Sequence, residues 1–161
     1  MIRSATPADA AAIAAIYNHY VAATTVTFEE EPVTAEDMAV RIANLALARL
    51  PWLVSEQDGA VAGYAYATRW RERSAYRFSV ESTVYLHKDS TGRGLGAAVY
   101  AALLEDLRGR DLRTVIAGIA LPNEASVRLH ERLGFEKVAQ FRDVGRKFNR
   151  WVDVGYWQLA L

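Results

Sequence analysis

The first fifty residues carry apolar side chains at helical spacing in two separate stretches. Thr6, Pro7 and Asp9 precede the first stretch, and this order is typical of a capped helix start in which Asp9 closes a capping box with Thr6. The apolar residues that recur on one face of this helix are Ile13, Ile16, Tyr17 and Tyr20. The pattern therefore predicts a first helix, followed by a polar loop that reaches Phe28.

The second stretch repeats the same signature. Thr34 and Asp37 form the capping pair, and Pro51 lies beyond the last apolar position, where it ends the helix. The apolar stripe between them consists of Met38, Ile42 and Leu45. A second helix is predicted here.

From residue 52 onward the pattern changes to runs that are typical of strands. Trp52–Glu56 and Ala60–Tyr66 flank Asp58-Gly59, and an Asp-Gly pair between apolar runs is a strong signal for a two-residue hairpin. The elements predicted further along are strands Ser79–Leu86 and Thr114–Ala120, helices Gly94–Leu107 and Ser126–Leu133, and a closing hairpin of Phe135–Phe141 with Asp153–Leu159. Antiparallel strands first and a strand–helix–strand–helix section later predict an α/β layered domain with a mixed sheet.

Composition narrows the class of protein. The 161 residues fit one domain spanning 1–161, and the absence of cysteine excludes disulfide scaffolds, Cys-ligated metals and thiol nucleophiles. Lys and Arg number 19, as do Asp and Glu, so the chain lacks the net basic charge that nucleic-acid or membrane binding usually needs. The first residues carry no basic segment that leads into an apolar core, which favours a cytoplasmic protein without a secretory signal.

A glycine-rich loop between the strand Ser79–Leu86 and the helix Gly94–Leu107 is the most informative segment. Its residues are Thr91, Gly92, Arg93, Gly94, Leu95 and Gly96. Such a turn presents successive backbone N–H groups at a helix N-terminus, where a pyrophosphate binds well. The spacing matches neither a P-loop nor a dinucleotide-binding fingerprint, and a tight turn without a ligand is the alternative.

At this loop the sequence resembles the GNAT acetyltransferase superfamily, whose pyrophosphate motif is Arg/Gln-x-x-Gly-x-Gly/Ala. Thr91 departs from that motif at its first position. Within the superfamily the chain resembles the phosphinothricin and methionine sulfoximine N-acetyltransferases along nearly its whole length. The segments that carry this likeness are 16–20 (IYNHY), 27–28 (TF), 51–54 (PWLV), 81–85 (ESTVY), 121–123 (LPN), 126–131 (SVRLHE) and 151–159 (WVDVGYWQL).

The resemblance implies a GNAT fold, in which a central, mostly antiparallel mixed sheet is flanked by helices and two splayed parallel strands bind acetyl-CoA. The backbone of Val84, Tyr85 and Leu86 would pair with the pantetheine arm, and the loop from Thr91 to Gly96 would hold the pyrophosphate. Asn123 matches the family's pantetheine-binding Asn, although its position also suits a helix cap. A homodimer is implied as well, and the basic residues Arg146, Lys147 and Arg150 could complete the pocket at its subunit edge.

Glu81 and His130 are the candidate catalytic residues. Strand alternation places Glu81 on the hydroxyl-bearing face of its strand, beside the cofactor strand, as a general base requires, whereas a solvated strand charge is the alternative. His130 matches the position at which this subfamily carries His and many GNAT enzymes carry a Tyr that protonates the thiolate. It could act as acid or as second base, or be a packed helix residue. The three His have no metal-ligand spacing, so no metal is implied.

The acceptor is expected to meet a basic and aromatic cluster between two strands. Arg71, Arg73 and Tyr76 match substrate-contacting positions of the phosphinothricin enzymes, and Phe28 matches an aromatic pocket residue. Guanidinium groups bind carboxylate and phosphinate well. The alternatives are a solvated loop or a single-stranded nucleic-acid surface for the cluster, and ordinary core packing for Phe28.

Together these features predict acetyl-CoA-dependent N-acetylation of a small anionic amino acid, such as L-phosphinothricin or methionine sulfoximine, by direct transfer in a ternary complex. Another amine acceptor, either a polyamine or a protein N-terminus, is one alternative, and the arginine cluster disfavours the polycation. A non-catalytic acyl-CoA sensor is the other, and the presence of both Glu81 and His130 counts against it.

Overall fold

A computed structural model of residues 1–161 shows one seven-stranded sheet with helices on both faces. The strand order is β1-β2-β3-β4-β5-β7-β6, and every neighbouring pair is antiparallel except β4 and β5. The elements are β1 (Ile2–Ser4), α1 (Ala10–Ala23), α2 (Ala35–Leu47), β2 (Trp52–Gln57), β3 (Ala60–Arg69), β4 (Ser79–Leu86), α3 (Leu95–Arg108), β5 (Thr114–Leu121), α4 (Glu124–Arg132), β6 (Glu136–Lys147) and β7 (Arg150–Ala160). The predicted α/β class and mixed sheet are confirmed.

The short-range signals in the sequence correctly predict the local structure. Asp58 and Gly59 both have positive φ, 52° and 80°, as a tight turn between β2 and β3 requires. Thr34 accepts a hydrogen bond from the Asp37 N–H at 3.0 Å, so the capping box at the start of α2 is present. The strand predicted at Ser79–Leu86 has those bounds.

Two parts of the sheet differ from the prediction. The three-residue strand β1 was missed because it carries no periodic pattern and forms by pairing with β2. The closing hairpin is longer than predicted: β6 continues beyond Phe141 and β7 begins before Asp153. Its turn uses Phe148 and Asn149 at positive φ instead of glycine, which hid it from a search for turn residues.

The two sheet faces carry separate hydrophobic clusters. α1 and α2 cover one face, where Ile13 and Met38 are buried with Tyr64 of β3. α3 covers the other, where Leu103 and Trp157 are fully or almost fully buried. Both clusters include residues of the central strands, so these strands lie between two buried apolar layers.

The parallel pair β4 and β5 diverges along its length. Only Ser79–Glu81 of β4 pairs with Thr114–Ile116 of β5, although both strands continue for five more residues. The backbone beyond Glu81 therefore faces a gap within the sheet. No helix of the structure is long and apolar enough to cross a bilayer.

Candidate active site

The gap between β4 and β5 opens into a cleft of about 500 Å³. Its walls come from both diverging strands, from the loop before α3 and from the start of α4. The predicted cofactor residues that line it are Val84, Tyr85, Leu86, Thr91, Gly92, Gly94, Gly96 and Asn123. Arg93 and Leu95 belong to the same loop but do not line the cleft. The structure thus brings together eight of the ten positions predicted for the cofactor.

The glycine loop delivers backbone amides to one end of this cleft. Gly92 and Gly94 adopt positive φ, 74° and 77°, which glycine tolerates at no steric cost. Gly94 is the N-cap of the 14-residue helix α3, and no side chain caps that helix end. The first N–H groups of α3 are therefore available to an anion, and the helix dipole favours one there.

The N-terminus of α4 forms the opposite wall. The Asn123 side chain accepts a hydrogen bond from the Ser126 N–H at 3.2 Å, so it caps the helix and lines the cleft at once. Arg128 and Arg132 of α4 also line the cleft and bring positive charge to it. These two arginines were not predicted from the sequence, because charged residues on an amphipathic helix normally face solvent.

Tyr20 is a further cleft residue that the sequence analysis did not assign. Its hydroxyl donates a hydrogen bond of 2.6 Å to the Leu86 carbonyl, and its ring lies 5.1 Å from the Tyr85 ring. It therefore fixes the end of β4 against α1. Tyr85 points to the α1 side, which confirms the predicted alternation, because the Ser82 side chain bonds to Tyr100 of α3 at 2.6 Å on the other face.

Glu81 lies at the point where the two parallel strands separate. Burial raises the pKa of its carboxyl group, and the nearby charge of Arg71 opposes this shift. The carboxylate has no hydrogen-bond donor within the protein and no ion pair, so its oxygens are free to accept a proton or a donor from a ligand. This is the arrangement that a general base requires. Glu81 itself does not line the cleft, but Thr83, the next residue on the same face of β4, does.

The predicted acceptor residues between β3 and β4 differ in whether they act on Glu81. Arg71 lies with its guanidinium 4.0 Å above the Trp70 ring and donates a hydrogen bond to the Trp70 carbonyl at 3.1 Å. Arg73 and Tyr76 are exposed in the same loop and do not bond to Glu81. Only Arg71 therefore acts electrostatically on Glu81 in this structure.

Phe28 is not a core residue, so the packing alternative for it is wrong. It is 41% exposed, and its ring covers Gly145 of β6 so closely that a Cβ at Gly145 would lie 2.3 Å from the ring. Gly145 thus permits the ring to lie flat against the hairpin. The loop that carries Phe28 approaches Tyr85 of the central strand β4 through Thr27.

His130 is buried and does not line the cleft, so its role as a catalytic acid or base stays a prediction. The residue is 4% exposed, and its Nδ1 donates a hydrogen bond to the Ser126 carbonyl at 2.7 Å. Its ring packs edge-on against Tyr100 and Phe135 at 5.0 and 5.2 Å between centroids. Burial lowers the pKa of His130, so the ring is neutral at pH 7. The structure supports the alternative of a packed helix residue.

The chain matches the family model described as an acetyltransferase (GNAT) domain over residues 2–155. It therefore belongs to the GNAT acetyltransferase family and is an N-acetyltransferase with acetyl-CoA as co-substrate. No group of three or more His, Cys, Asp or Glu side chains comes together as a metal site would need.

Particular relatives cover nearly the whole chain. It is 45% identical to a phosphinothricin N-acetyltransferase of Streptomyces viridochromogenes, over 98% of this chain and 85% of that protein. It is 40% identical to an L-methionine sulfoximine/L-methionine sulfone acetyltransferase of Salmonella typhimurium, over 99% of this chain and 94% of that protein. The predicted family resemblance is confirmed.

Solved structures agree with the fold. A phosphinothricin acetyltransferase from Sinorhizobium meliloti in complex with acetyl-CoA superposes with a TM-score of 0.97 at 36% identity, over all of this chain and 88% of that one. A ribosomal-protein-alanine N-acetyltransferase from Brucella melitensis superposes with a TM-score of 0.98 at 38% identity, over all of this chain and 99% of that one. The GNAT fold predicted from the sequence is confirmed.

Proposed function

We propose that this chain acetylates the amino group of a small anionic amino acid of the phosphinothricin or methionine sulfoximine class. The observation that carries the proposal is the half-buried, unpaired carboxylate of Glu81 at the point where β4 and β5 separate, within the field of Arg71. The names of the relatives support the same substrate class.

The cleft fits the donor. Free amides at the start of α3 and the glycines Gly92 and Gly94 suit the pyrophosphate, and Arg128 and Arg132 add positive charge. The part of β4 from Val84 to Leu86 pairs with β3 but has no partner on the β5 side. This edge is extended backbone that can pair with the amide groups of a pantetheine arm, and Asn123 lines the same cleft. Arg93 and Leu95 are included in the proposed cofactor site only because they are part of this loop.

Glu81 acts as the base. The donor, when bound, supplies a thioester carbonyl that a free amine can attack, so that the C–N bond forms, the C–S bond breaks and the thiolate leaves. Glu81 takes the proton from the acceptor ammonium, directly or through water. The carboxylate of a free amino acid stabilises the neighbouring ammonium, so its α-amino group titrates above the ~7.7–8.0 of a peptide terminus. Its deprotonation at pH 7 therefore costs more than about 1 kcal/mol, and both a base and correct positioning are needed.

The acceptor lies on the side of Glu81 that faces the loop between β3 and β4. We call this loop, which carries Arg71, Arg73 and Tyr76, the arginine loop. Arg71 is the first partner for an acceptor anion, because its guanidinium already lies near Glu81. Arg73 and Tyr76 are proposed to reach the acceptor from the same exposed loop, and Phe28 to form an apolar wall from the opposite side.

Thiol release from acetyl-CoA tests the proposal. L-Phosphinothricin or methionine sulfoximine is expected to drive release, whereas spermidine, an alanine-terminated peptide and no acceptor are not. Glu81→Gln is expected to lower turnover by roughly 10²–10⁴-fold. The matched control is Glu105→Gln on the exposed face of α3. Release with the peptide alone would move the function to a protein N-terminus, and donor binding without release on any acceptor would support a sensor.

We further propose a cytoplasmic homodimer in which β6 meets a second copy. β6 is the last strand of the sheet, and such an edge exposes unpaired backbone groups. The exposed apolar side chains of this hairpin are Val138, Phe141, Val144, Phe148 and Trp151. A patch of this kind marks an interaction site, and Val144→Asp is expected to shift the mass measured by light scattering from dimer to monomer.

Acetylation of phosphinothricin removes the charge of its amino group. The chain is therefore proposed to confer resistance on a cell that carries it, which a growth assay with L-phosphinothricin would measure. No nucleic-acid or membrane partner is proposed, because the formal net charge is zero.

A further inference from the structure

Tyr156 of β7 faces Glu81 across a gap that a glycine leaves in β5. Gly118 pairs directly with Tyr156 in the β5–β7 ladder. A Cβ at Gly118 would lie 3.2 Å from Cε1 of Tyr156 and 3.5 Å from Oε1 of Glu81. The tyrosine ring and the carboxylate therefore flank the same point above the sheet, and no side chain of β5 separates them.

Two aromatic neighbours hold the Tyr156 ring in place. Trp70 and Phe141 each contact it edge to face, at 5.7 Å between centroids. Edge-to-face contact is a preferred arrangement of aromatic pairs, so both neighbours favour this orientation of the ring. We call these three residues the aromatic wall. Arg71 lies on the outer face of Trp70, so the wall joins the arginine loop to Glu81.

The electrostatic situation agrees with this geometry. Burial and the charge of Glu81 both raise the pKa of Tyr156, while Arg71 opposes the shift. Burial is also the main cause of the raised pKa of Glu81. A ring edge beside a carboxylate removes water from it, which disfavours the charged form.

We propose that Tyr156 is a positioning residue of the acceptor site: its ring, held by Trp70 and Phe141, excludes water from Glu81 and bounds the gap over Gly118 in which the acceptor amine meets the carboxylate. This inference rests on the proposed function.

Three variants test the role of the ring. Tyr156→Ala is expected to raise the acceptor KM about tenfold and leave the acetyl-CoA KM within about twofold. It is also expected to move the acidic limb of the pH profile of kcat/KM to lower pH, because Glu81 gains water. Tyr156→Phe keeps the ring and is expected to restore both values. Gly118→Ala fills the gap with a methyl group 3.5 Å from Glu81 Oε1 and is expected to raise the acceptor KM. Because the methyl group also removes water from Glu81, the acidic limb is expected to move to higher pH, opposite to its shift in Tyr156→Ala.

The outcomes separate this inference from the proposed function. Tyr156→Ala with an unchanged acidic limb and acceptor KM would overturn the role of the ring, even if Glu81→Gln abolishes turnover. A Tyr156→Phe variant as impaired as Tyr156→Ala would also overturn it, because the hydroxyl rather than the ring would then be responsible. If Tyr156→Ala does not fold, the Gly118→Ala variant tests the inference instead. An acceptor KM unchanged in Gly118→Ala would overturn the placement of the amine over Gly118. Wild-type protein without thiol release would instead overturn the proposed function.

Discussion

The Lys147 ammonium donates a hydrogen bond of 2.9 Å to the main-chain carbonyl of Thr27, 120 residues away in the sequence. Lys147 is 2% exposed, and burial lowers the pKa of its amino group, while the charge of Glu30 opposes this shift. The bond ties the end of β6 to the loop that carries Phe28, whose ring covers Gly145. The loop and the hairpin therefore form one packed unit.

Lys147→Met should loosen this unit without unfolding the protein. The substitution removes the buried ammonium but leaves the buried Thr27 carbonyl without its donor, so a cost of about 1–3 kcal/mol is expected, which a folded domain can tolerate. The acceptor KM is expected to rise about tenfold because Phe28 loses its anchor, whereas the acetyl-CoA KM is unchanged. Steady-state kinetics measure both. Lys137→Met, at an exposed lysine of the same strand, is the control, and an equal effect there would contradict the anchor.

Gly94→Ala should weaken donor binding through backbone strain. Gly94 has φ 77° and open space around its Cβ position, so alanine would cost about 1–2 kcal/mol of conformational energy without a clash. Relief of that strain would turn the amides at the start of α3, and the dissociation constant for CoA is expected to rise about tenfold in calorimetry. Gly59→Ala has the same strain, at φ 80°, in a turn far from the cleft. It should lose stability and keep its affinity.

The buried His130 should make the protein less stable in mild acid. Burial lowers its pKa below the ordinary value of 6.5, which the unfolded chain keeps. The unfolded chain therefore binds the proton first, so this stability is complete above pH 6.5 and is lost as the pH falls below it, by up to about 1.4 kcal/mol per pH unit. Urea unfolding at pH 7.5 and 5.5 measures the slope. His130→Asn should flatten it, and an unchanged slope would place the ring in contact with water.

The Arg3–Asp9 pair should protect the protein at low pH. Hydrogen bonds from Arg3, at 2.7 and 2.8 Å, lower the pKa of Asp9 to about 2. The stability it contributes is present above the ordinary pKa of 3.8 and is lost as the pH falls through about 2. Asp9→Asn is expected to cost about 2 kcal/mol at pH 7, and less at pH 2.5. Asp58→Asn, in the hairpin turn, should cost nothing at either pH in the same urea titrations.

The sequence predicted the elements whose signals are local. The capping pair Thr34 and Asp37, the turn at Asp58-Gly59 and the alternation along β4 each act over a few residues, so they can be read without knowing the fold. The family resemblance extended this reading to the cleft, where the glycine loop and Asn123 lie as expected.

The features that were missed depend on contacts between distant segments. Strand β1 exists because β2 offers it an edge, and Tyr156 reaches Glu81 only through the ladder of β5 and β7. His130 carries the chemistry of a catalyst, but its burial against Tyr100 and Phe135 follows from how α4 packs on the sheet. Residue type alone does not reveal such packing.

The short parallel seam between β4 and β5 has a consequence for the order of events. Three residue pairs join the two strands, so the sheet consists of two ribbons connected at one end. If acetyl-CoA binds as proposed, its extended arm fills the slot, supplies the missing cross-links and acts as a temporary strand. The donor then completes the wall that the acceptor meets, and initial-velocity kinetics are expected to show ordered addition with acetyl-CoA first.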